Sequence, residues 1–164
     1  MVDMGLFVDE RVELLYGGIV RMTPIGAPHN AALQRLTRLL VLAVRERAWV
    51  RIQSSFAASD GSEPEPDVAI VPPGEYDAEH PTQAWLIIEV ADTSLELDRT
   101  VKARLYAECG VPEYWVVNLV DGLIEVHTEV VRATYARTTP YRKGTSIQLQ
   151  HLPDVEVRVD DVIR

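Results

Sequence analysis

The sequence predicts a single α/β (α+β) domain in which a mixed β-sheet is flanked by helices. Its 164 residues are enough to bury one core and too few for two domains. Short apolar runs of β type fill most of the chain, and two segments with helical spacing of apolar residues interrupt them. We therefore assign residues 1–164 to one domain.

Composition and charge limit the location and the partners of the protein. The stretch MVDMGLFVDE is acidic, and its apolar run is too short for a signal peptide. No segment approaches the length of a membrane span, and the single cysteine, Cys109, excludes an internal disulfide framework and a cysteine-based zinc site. We expect a cytoplasmic protein with no membrane partner. The net charge of −9 argues against sequence-independent nucleic-acid binding, but not against a nuclease whose acidic site is neutralised by metal.

The N-terminal part of the chain predicts a β-hairpin followed by a long helix. Residues 11–23 contain two β-type runs around a Gly-Gly pair, which suits a tight turn. The helix is expected to begin at His29 or Asn30 and to continue to about Ala48. Its buried stripe is formed by Leu33, Leu36, Leu40 and Val44.

The only basic concentration of the chain accompanies this helix. It consists of Arg35, Arg38, Arg45, Arg47 and Arg51. A solvated helix face is the simpler interpretation of these arginines. The functional interpretation is that they follow a phosphate backbone.

Three further β-type runs and a second helix occupy the middle of the chain. The runs lie at residues 49–56, 67–71 and 85–91, and a loop rich in glycine, proline, serine and acids precedes the second of them. The helix is expected from Leu97 or Asp98 to Glu108. Its predicted apolar seam is Val101, Leu105 and Cys109, and Gly110 is suited to cap its end.

The C-terminal third predicts an antiparallel meander. EYWVVNLV is a buried strand, and Asp121-Gly122 turns the chain into the strand LIEVHTEV. Residues 131–139 and 145–150 continue as antiparallel strands, and VEVRV with a short terminal segment closes the domain. The element order is thus a hairpin, a helix, three strands, a helix and a meander.

Two carboxylates stand in β-type runs that are otherwise apolar. Asp67 opens the run DVAIV, and Glu89 lies inside WLIIEVA, which is hydrophobic on both faces as in a strand buried on both sides. A buried glutamate is costly unless it is paired or bound to a cation. Lys102 flanks the seam of the following helix, which begins near the end of the glutamate strand, so the lysine can reach the carboxylates. The alternative is a surface pair of Asp98 with Lys102.

These residue types suit a magnesium site for phosphodiester chemistry. Mg²⁺ prefers oxygen ligands, commonly one or two carboxylates with waters and phosphate oxygens, and Mn²⁺ is a possible substitute. Asp67 and Glu89 would supply the carboxylates, and the carbonyl of Val90 a third ligand. Lys102 would orient the attacking water or stabilise charge on the phosphorane.

Two further residues have open roles at this point. Glu13 faces away from its neighbours Val12 and Leu14, which favours a solvated strand residue, and its functional interpretation is an accessory acid near the metal. His29 lies near a helix N-terminus, where histidines more commonly cap the helix or face solvent than act as ligand or base.

Nearly the whole chain resembles the Uma-type putative restriction endonuclease family of the PD-(D/E)XK nuclease superfamily. The similar stretches are ELLYGGIVRMTPIGAPHNAAL, SEPEPDVAIV, LIIEVADTSLELDRTVKARLYAECGVPEYWVVN and LPDVEVRVDDVIR. The resemblance implies a restriction-endonuclease-like core, a magnesium-dependent nuclease site acting on DNA, and a homo-oligomer, for which we expect a dimer. By position, Asp67 is the aspartate of the PD element and Glu89 is the acid of (D/E)XK.

The chain departs from the superfamily pattern at the lysine. The position two after Glu89 is Ala91, and within the Uma-type pattern the lysine is moved to the helix, which matches Lys102. Glu13 and His29 also match recurrent positions of that pattern. Asn118 stands where an aspartate is common, so no role is carried over to it.

Two other functions compete with a metal-dependent DNA endonuclease. The first is a catalytically silent, oligomeric interaction module of the same fold, which the acidic charge and the displaced lysine favour. The retention of Asp67, Glu89 and Lys102 argues against it. The second is a glycosidase with Asp67 and Glu89 as acid and base. Only 7% of the residues are aromatic, which leaves little of the platform that sugars require.

Overall fold

The core of the protein is a six-stranded mixed sheet. The computed structural model describes residues 11–164. The strands lie in the order β3-β4-β5-β6-β7-β8. Their bounds are β3 Trp49–Ile52, β4 Val68–Val71, β5 Leu86–Ala91, β6 Glu113–Asn118, β7 Leu123–Val131 and β8 Thr134–Arg142. Every neighbouring pair is antiparallel except β5 and β6, which are parallel. The exception arises because a helical connection joins β5 to β6, and a crossover of this kind returns the chain in the same direction. The predicted mixed sheet is confirmed.

One face of the sheet is covered by the long helix α1 (Ala27–Val44), which a single turn of 3₁₀-helix (Arg45–Arg47) follows. The predicted buried stripe is confirmed, since Leu33, Leu36, Leu40 and Val44 are all buried. The helix ends earlier than expected because Arg45 adopts a positive φ of 55°. This face also receives the C-terminal segment, where β9 (Ser146–Gln148) pairs with β10 (Glu156–Arg158) and α4 (Val159–Val162) follows.

The other face is covered by the helical segment between β5 and β6. It consists of α2 (Leu95–Leu97), a π-helical turn (Asp98–Lys102) and α3 (Ala103–Glu108). The predicted seam was partly wrong, because Val101 and Cys109 are only half-buried. The polar or amphipathic side chains of Asp98, Lys102 and Tyr106 are buried instead. A π-turn contains one residue more than an α-turn, so the face that meets the sheet shifts along the sequence.

The N-terminal hairpin pairs β1 (Val12–Leu15) with β2 (Gly18–Arg21). Its turn is one residue earlier than expected, because Tyr16 and Gly17 have positive φ values of 50° and 76°, whereas Gly18 already belongs to β2. Hydrogen bonds from Glu63 N–H to the Leu14 carbonyl (2.8 Å) and from Gly17 N–H to the Gly61 carbonyl (2.7 Å) fix the hairpin to the loop that precedes β4. The hairpin therefore lies over the end of the sheet where Asp67 enters it.

No helix within residues 11–164 combines the length and the apolar composition that a membrane span requires.

A core substitution tests this packing. We expect Leu36→Ala to lower the free energy of unfolding by about 2–5 kcal/mol, because the fully buried side chain leaves a cavity between α1 and the sheet. Leu42→Ala on the same helix is the matched control, since Leu42 is 64% exposed and a change of about 0.5 kcal/mol or less is expected there. Urea denaturation of both variants measures the difference, and equal losses would contradict the described packing.

Candidate functional site

The two predicted carboxylates, Asp67 and Glu89, lie beside each other at one end of the sheet. Asp67 directly precedes β4, and the antiparallel register that pairs Val68 with Ile88 places it opposite Glu89. The Asp67 N–H lies 3.4 Å from Glu89 Oε2, and the Val90 N–H donates to Asp67 Oδ2 at 2.8 Å. Asp67 is 7% exposed and Glu89 is 4% exposed. The two side chains therefore form one shielded acidic pair.

Three donors hold the Asp67 carboxylate. His29 Nε2 lies 3.0 Å from Oδ2, and Gln53 Nε2 donates to Oδ1 at 3.1 Å. Burial raises the pKa of Asp67, but the hydrogen bond and charge of His29, the Val90 N–H and Gln53 together lower it below its ordinary value. Asp67 is thus ionised at neutral pH. The expectation of a capping or surface histidine was wrong, because His29 is buried against Asp67.

Lys102 lies between carboxylates that come from three separate elements. Its Nζ is 3.0 Å from Glu13 Oε1, 3.0 Å from Glu89 Oε1 and 3.9 Å from Asp98 Oδ1. The π-turn carries both Asp98 and Lys102 and directs them into the site. Both residues are buried, so the alternative of a surface Asp98–Lys102 pair was wrong.

Glu13 is also part of this group. Its side chain is 3% exposed, and Oε1 accepts hydrogen bonds from Lys102 Nζ and, at 2.8 Å, from the Glu65 N–H. The interpretation as a solvated strand residue was wrong because the loop before β4 covers that face of the hairpin.

The site contains more negative than positive charge. Four buried carboxylates, Glu13, Asp67, Glu89 and Asp98, accompany one buried ammonium, that of Lys102. Burial and the neighbouring acids Asp98, Asp67 and Glu13 raise the pKa of Glu89 well above its ordinary value, although Lys102 opposes them. Burial by itself lowers the pKa of Lys102, but the surrounding carboxylates raise it above the ordinary value. Lys102 is therefore protonated, and the acids around it favour an additional cation or proton.

Sequence reasoning missed two side chains of the site and the burial of a third. Tyr106 Oη donates to Glu89 Oε1 at 2.7 Å, and Gln53 contacts Asp67. The pairing of Asp98 with Lys102 was considered only as a surface contact, whereas both residues are buried. A signal existed for the helix, because Asp98, Lys102 and Tyr106 follow each other at intervals of four residues on one face. No comparable signal exists for Gln53, which directly follows the short edge strand β3.

These residues open into a cleft of about 380 Å³. The segment between β2 and α1 and the segment after β5 both line the cleft, and a hydrogen bond of 3.2 Å between the hydroxyls of Thr23 and Thr93 joins them. Asn118 is not part of this cleft, because its amide instead donates to Asp121 and Glu125.

The donor set suits a hard divalent cation. In a β-strand the N–H and C=O of one residue point to the same edge, so the Val90 carbonyl lies on the edge where its N–H contacts Asp67. Val90 also lines the cleft. Residues 11–164 contain no group of three or more His, Cys, Asp or Glu side chains that could hold a metal ion by themselves. Two carboxylates and one carbonyl would leave coordination positions for water and substrate oxygens, as Mg²⁺ commonly requires.

Comparison with solved structures shows the same fold in another protein. A crystal structure described as a putative nuclease belonging to DUF820, from Anabaena variabilis, is similar with a TM-score of 0.74 and 14% sequence identity. The similarity covers 98% of this chain and 96% of that chain. No functionally curated protein matches the chain.

Comparison with family models gives a match over nearly the whole chain. The model of the family Uma2, described as "Putative restriction endonuclease", matches residues 6–160. The family resemblance noted from the sequence is therefore confirmed. The chain belongs to the Uma2 family of putative restriction endonucleases.

Proposed function

We propose that this protein is a magnesium-dependent endonuclease that hydrolyses phosphodiester bonds in DNA. One observation carries the proposal: Asp67, Glu89 and Lys102, which are distant in sequence, meet as buried charged groups at one cleft. Burying four carboxylates with one ammonium is unfavourable for folding alone, since removing charges from water costs several kcal/mol each. A divalent cation and a phosphate would compensate these charges.

The acidic pair would hold the cation. Asp67 and Glu89 would supply carboxylate oxygens and Val90 its carbonyl, and Mn²⁺ would be accepted in place of Mg²⁺. When bound, the cation supplies polarisation of the phosphate and lowers the pKa of a coordinated water. His29 and Gln53 position Asp67 and keep it ionised, while Tyr106 orients Glu89.

Lys102 acts as a fixed positive charge in this proposal. Because its pKa is raised, it is protonated and does not serve as a general base. It would instead orient the attacking water through its N–H donors or stabilise charge that develops on the phosphate. Glu13 binds the same ammonium and holds it in place, which is its accessory role.

We also propose a cytoplasmic location, where DNA is accessible as a substrate. The family resemblance leads us to propose a homo-oligomer, in its simplest form a dimer. The catalytically silent interaction module is the second candidate, since Lys102 already has carboxylate partners without any metal. An endonuclease and a silent module differ in metal binding and in strand cleavage.

The first test of this function concerns Lys102. We expect Lys102→Ala to retain magnesium binding, because lysine is not a ligand, and to lower the cleavage rate by about two to three orders of magnitude. Lys102→Arg should rescue poorly, since a planar guanidinium does not replace a compact ammonium. A plasmid-nicking assay in Mg²⁺ and in Mn²⁺ measures the rates.

Asp67→Ala is the metal-free control in the same assay. If Lys102→Ala cuts as fast as the parent while Asp67→Ala is inactive, the role assigned to Lys102 is wrong. If the parent cuts no DNA under any of these conditions, the silent module replaces the endonuclease as the better account.

The second test concerns Glu89. Its raised pKa means that the folded state binds a proton there more readily than the unfolded chain does. Ionised Glu89 therefore destabilises the metal-free fold above the ordinary glutamate pKa, and this cost disappears as the pH falls below it. We expect Glu89→Gln to melt at an equal or higher temperature than the parent at pH 7 without metal, and to lose the stabilisation that Mg²⁺ gives the parent.

Thermal melts with and without Mg²⁺ decide this prediction. A large loss of metal-free stability in Glu89→Gln would contradict it, because Glu89 would then be mainly a structural partner of Lys102. Tyr106→Phe is a useful control, since it removes the hydrogen bond to Glu89 without changing any charge.

A further inference from the structure

An exposed stripe of side chains runs along α1, opposite its buried stripe. Asn30, Gln34, Arg38 and Leu42 follow one another at intervals of four residues, and all four are exposed. Residues at this spacing lie on one face of a helix. The polar side chains of Asn30, Gln34 and Arg38 form no hydrogen bond or ion pair with another residue of 11–164. They are therefore available to a partner.

This stripe borders a wide groove on the described part of the protein. The groove lies between α1 and the edge strand β3 and has a volume of about 690 Å³. Besides the stripe, Thr37, Val41, Ile52 and Gln53 are among its lining residues. None of the nine lining residues is acidic, although the chain contains 25 aspartates and glutamates. The groove is thus an acid-free surface on an acidic protein.

The groove leads directly to the candidate site. Gln53 lines the groove and donates a hydrogen bond of 3.1 Å to Asp67 Oδ1. Asn30, at the other side, follows His29, whose Nε2 lies 3.0 Å from Asp67 Oδ2. A molecule in the groove would therefore contact side chains that adjoin the acidic pair.

The arginines near α1 do not all share this surface. Arg35 Nε donates to the Val162 carbonyl at 2.9 Å, and Arg47 is paired with Asp154 at 2.7 Å. The basic concentration noted in the sequence is thus partly used to hold the C-terminal segment. Arg38 is the cation that lines the groove.

We propose that α1 is the helix that reads DNA sequence, with Asn30, Gln34 and Arg38 as specificity-determining residues. Asparagine and glutamine form paired hydrogen bonds with adenine in the major groove, arginine does so with guanine, and aliphatic side chains such as Leu42 contact the thymine methyl group. From Asn30 to Leu42 the helix rises by about 18 Å, which corresponds to about five base pairs. The inference rests on the proposed DNA endonuclease activity and names how its substrate is recognised.

Duplex DNA fits this surface better than a second copy of the chain. The major groove admits an α-helix, and Arg38 in an acid-free groove complements phosphate charge. The groove also adjoins Asp67 through Gln53, so a duplex held at the acidic pair would extend along it, which a second copy need not do.

The experiment compares single substitutions in the groove with a matched arginine elsewhere. The parent and the variants Gln34→Ala, Arg38→Ala and Arg137→Ala each cleave a library of random DNA duplexes. The cleaved products give the base preference of each protein. Arg137 is a suitable control because its side chain is 64% exposed and because β8, which carries it, lies at the opposite edge of the sheet from β3. Affinity for one selected duplex is measured by fluorescence anisotropy in the Lys102→Ala background with Mg²⁺.

We expect Arg38→Ala to weaken binding about tenfold and to relax the preference at one base pair, and Gln34→Ala to change the preferred base at a neighbouring position. Arg137→Ala should stay within about twofold of the parent, since an exposed arginine away from the DNA contributes little. Sedimentation of each variant gives its mass.

If the parent cuts DNA and both groove variants keep its affinity and its base preference, the proposal is overturned. A change of oligomeric mass in Gln34→Ala or Arg38→Ala would also overturn it, because the groove would then belong to a contact between copies. If the parent neither binds nor cuts duplex DNA, both the endonuclease proposal and this one fail.

Discussion

The contact of the Lys102 ammonium with three carboxylates is the interaction on which the site depends. Its partners come from the hairpin (Glu13), the central strand β5 (Glu89) and the π-turn (Asp98). The ammonium thus connects the hairpin to β5 and the π-turn, from which the hairpin is far apart in the chain. Removing the ammonium would leave the buried carboxylates uncompensated, a loss that typically costs about 3–5 kcal/mol. The position of the hairpin over the sheet is therefore tied to the chemistry of the cleft.

A π-turn carries two residues of this arrangement. A regular helix with the predicted seam would bury Val101 and Cys109 and leave Lys102 at the edge of the packed face. The wider turn instead directs Asp98 and Lys102 into the cleft, and the Tyr114 hydroxyl donates to the Asp98 carbonyl at 3.0 Å. π-Turns inside helices are frequent at functional sites. Here the turn provides the lysine that the strand after Glu89 lacks.

The sequence predicted the features that depend on local pattern. The buried stripe of α1 and the mixed sheet follow from apolar periodicity, and the glutamate inside an apolar strand pointed to a charged site at Glu89. Features that depend on which distant segment covers a surface were missed. The alternation around Glu13 showed that it faces away from Val12 and Leu14, but not that the loop before β4 buries that side. His29 was misjudged for the same reason, because its partner Asp67 is 38 positions away.

The most direct test of the account is a crystal structure of the protein grown with Mn²⁺, located by its anomalous scattering. The account predicts one strong anomalous peak at coordination distance, about 2 Å, from Asp67 and Glu89 oxygens, with the Lys102 ammonium nearby and not coordinated. The metal-dependent site would be contradicted if the cleft showed no anomalous peak at saturating Mn²⁺ and Lys102 kept its contacts with Glu13 and Glu89.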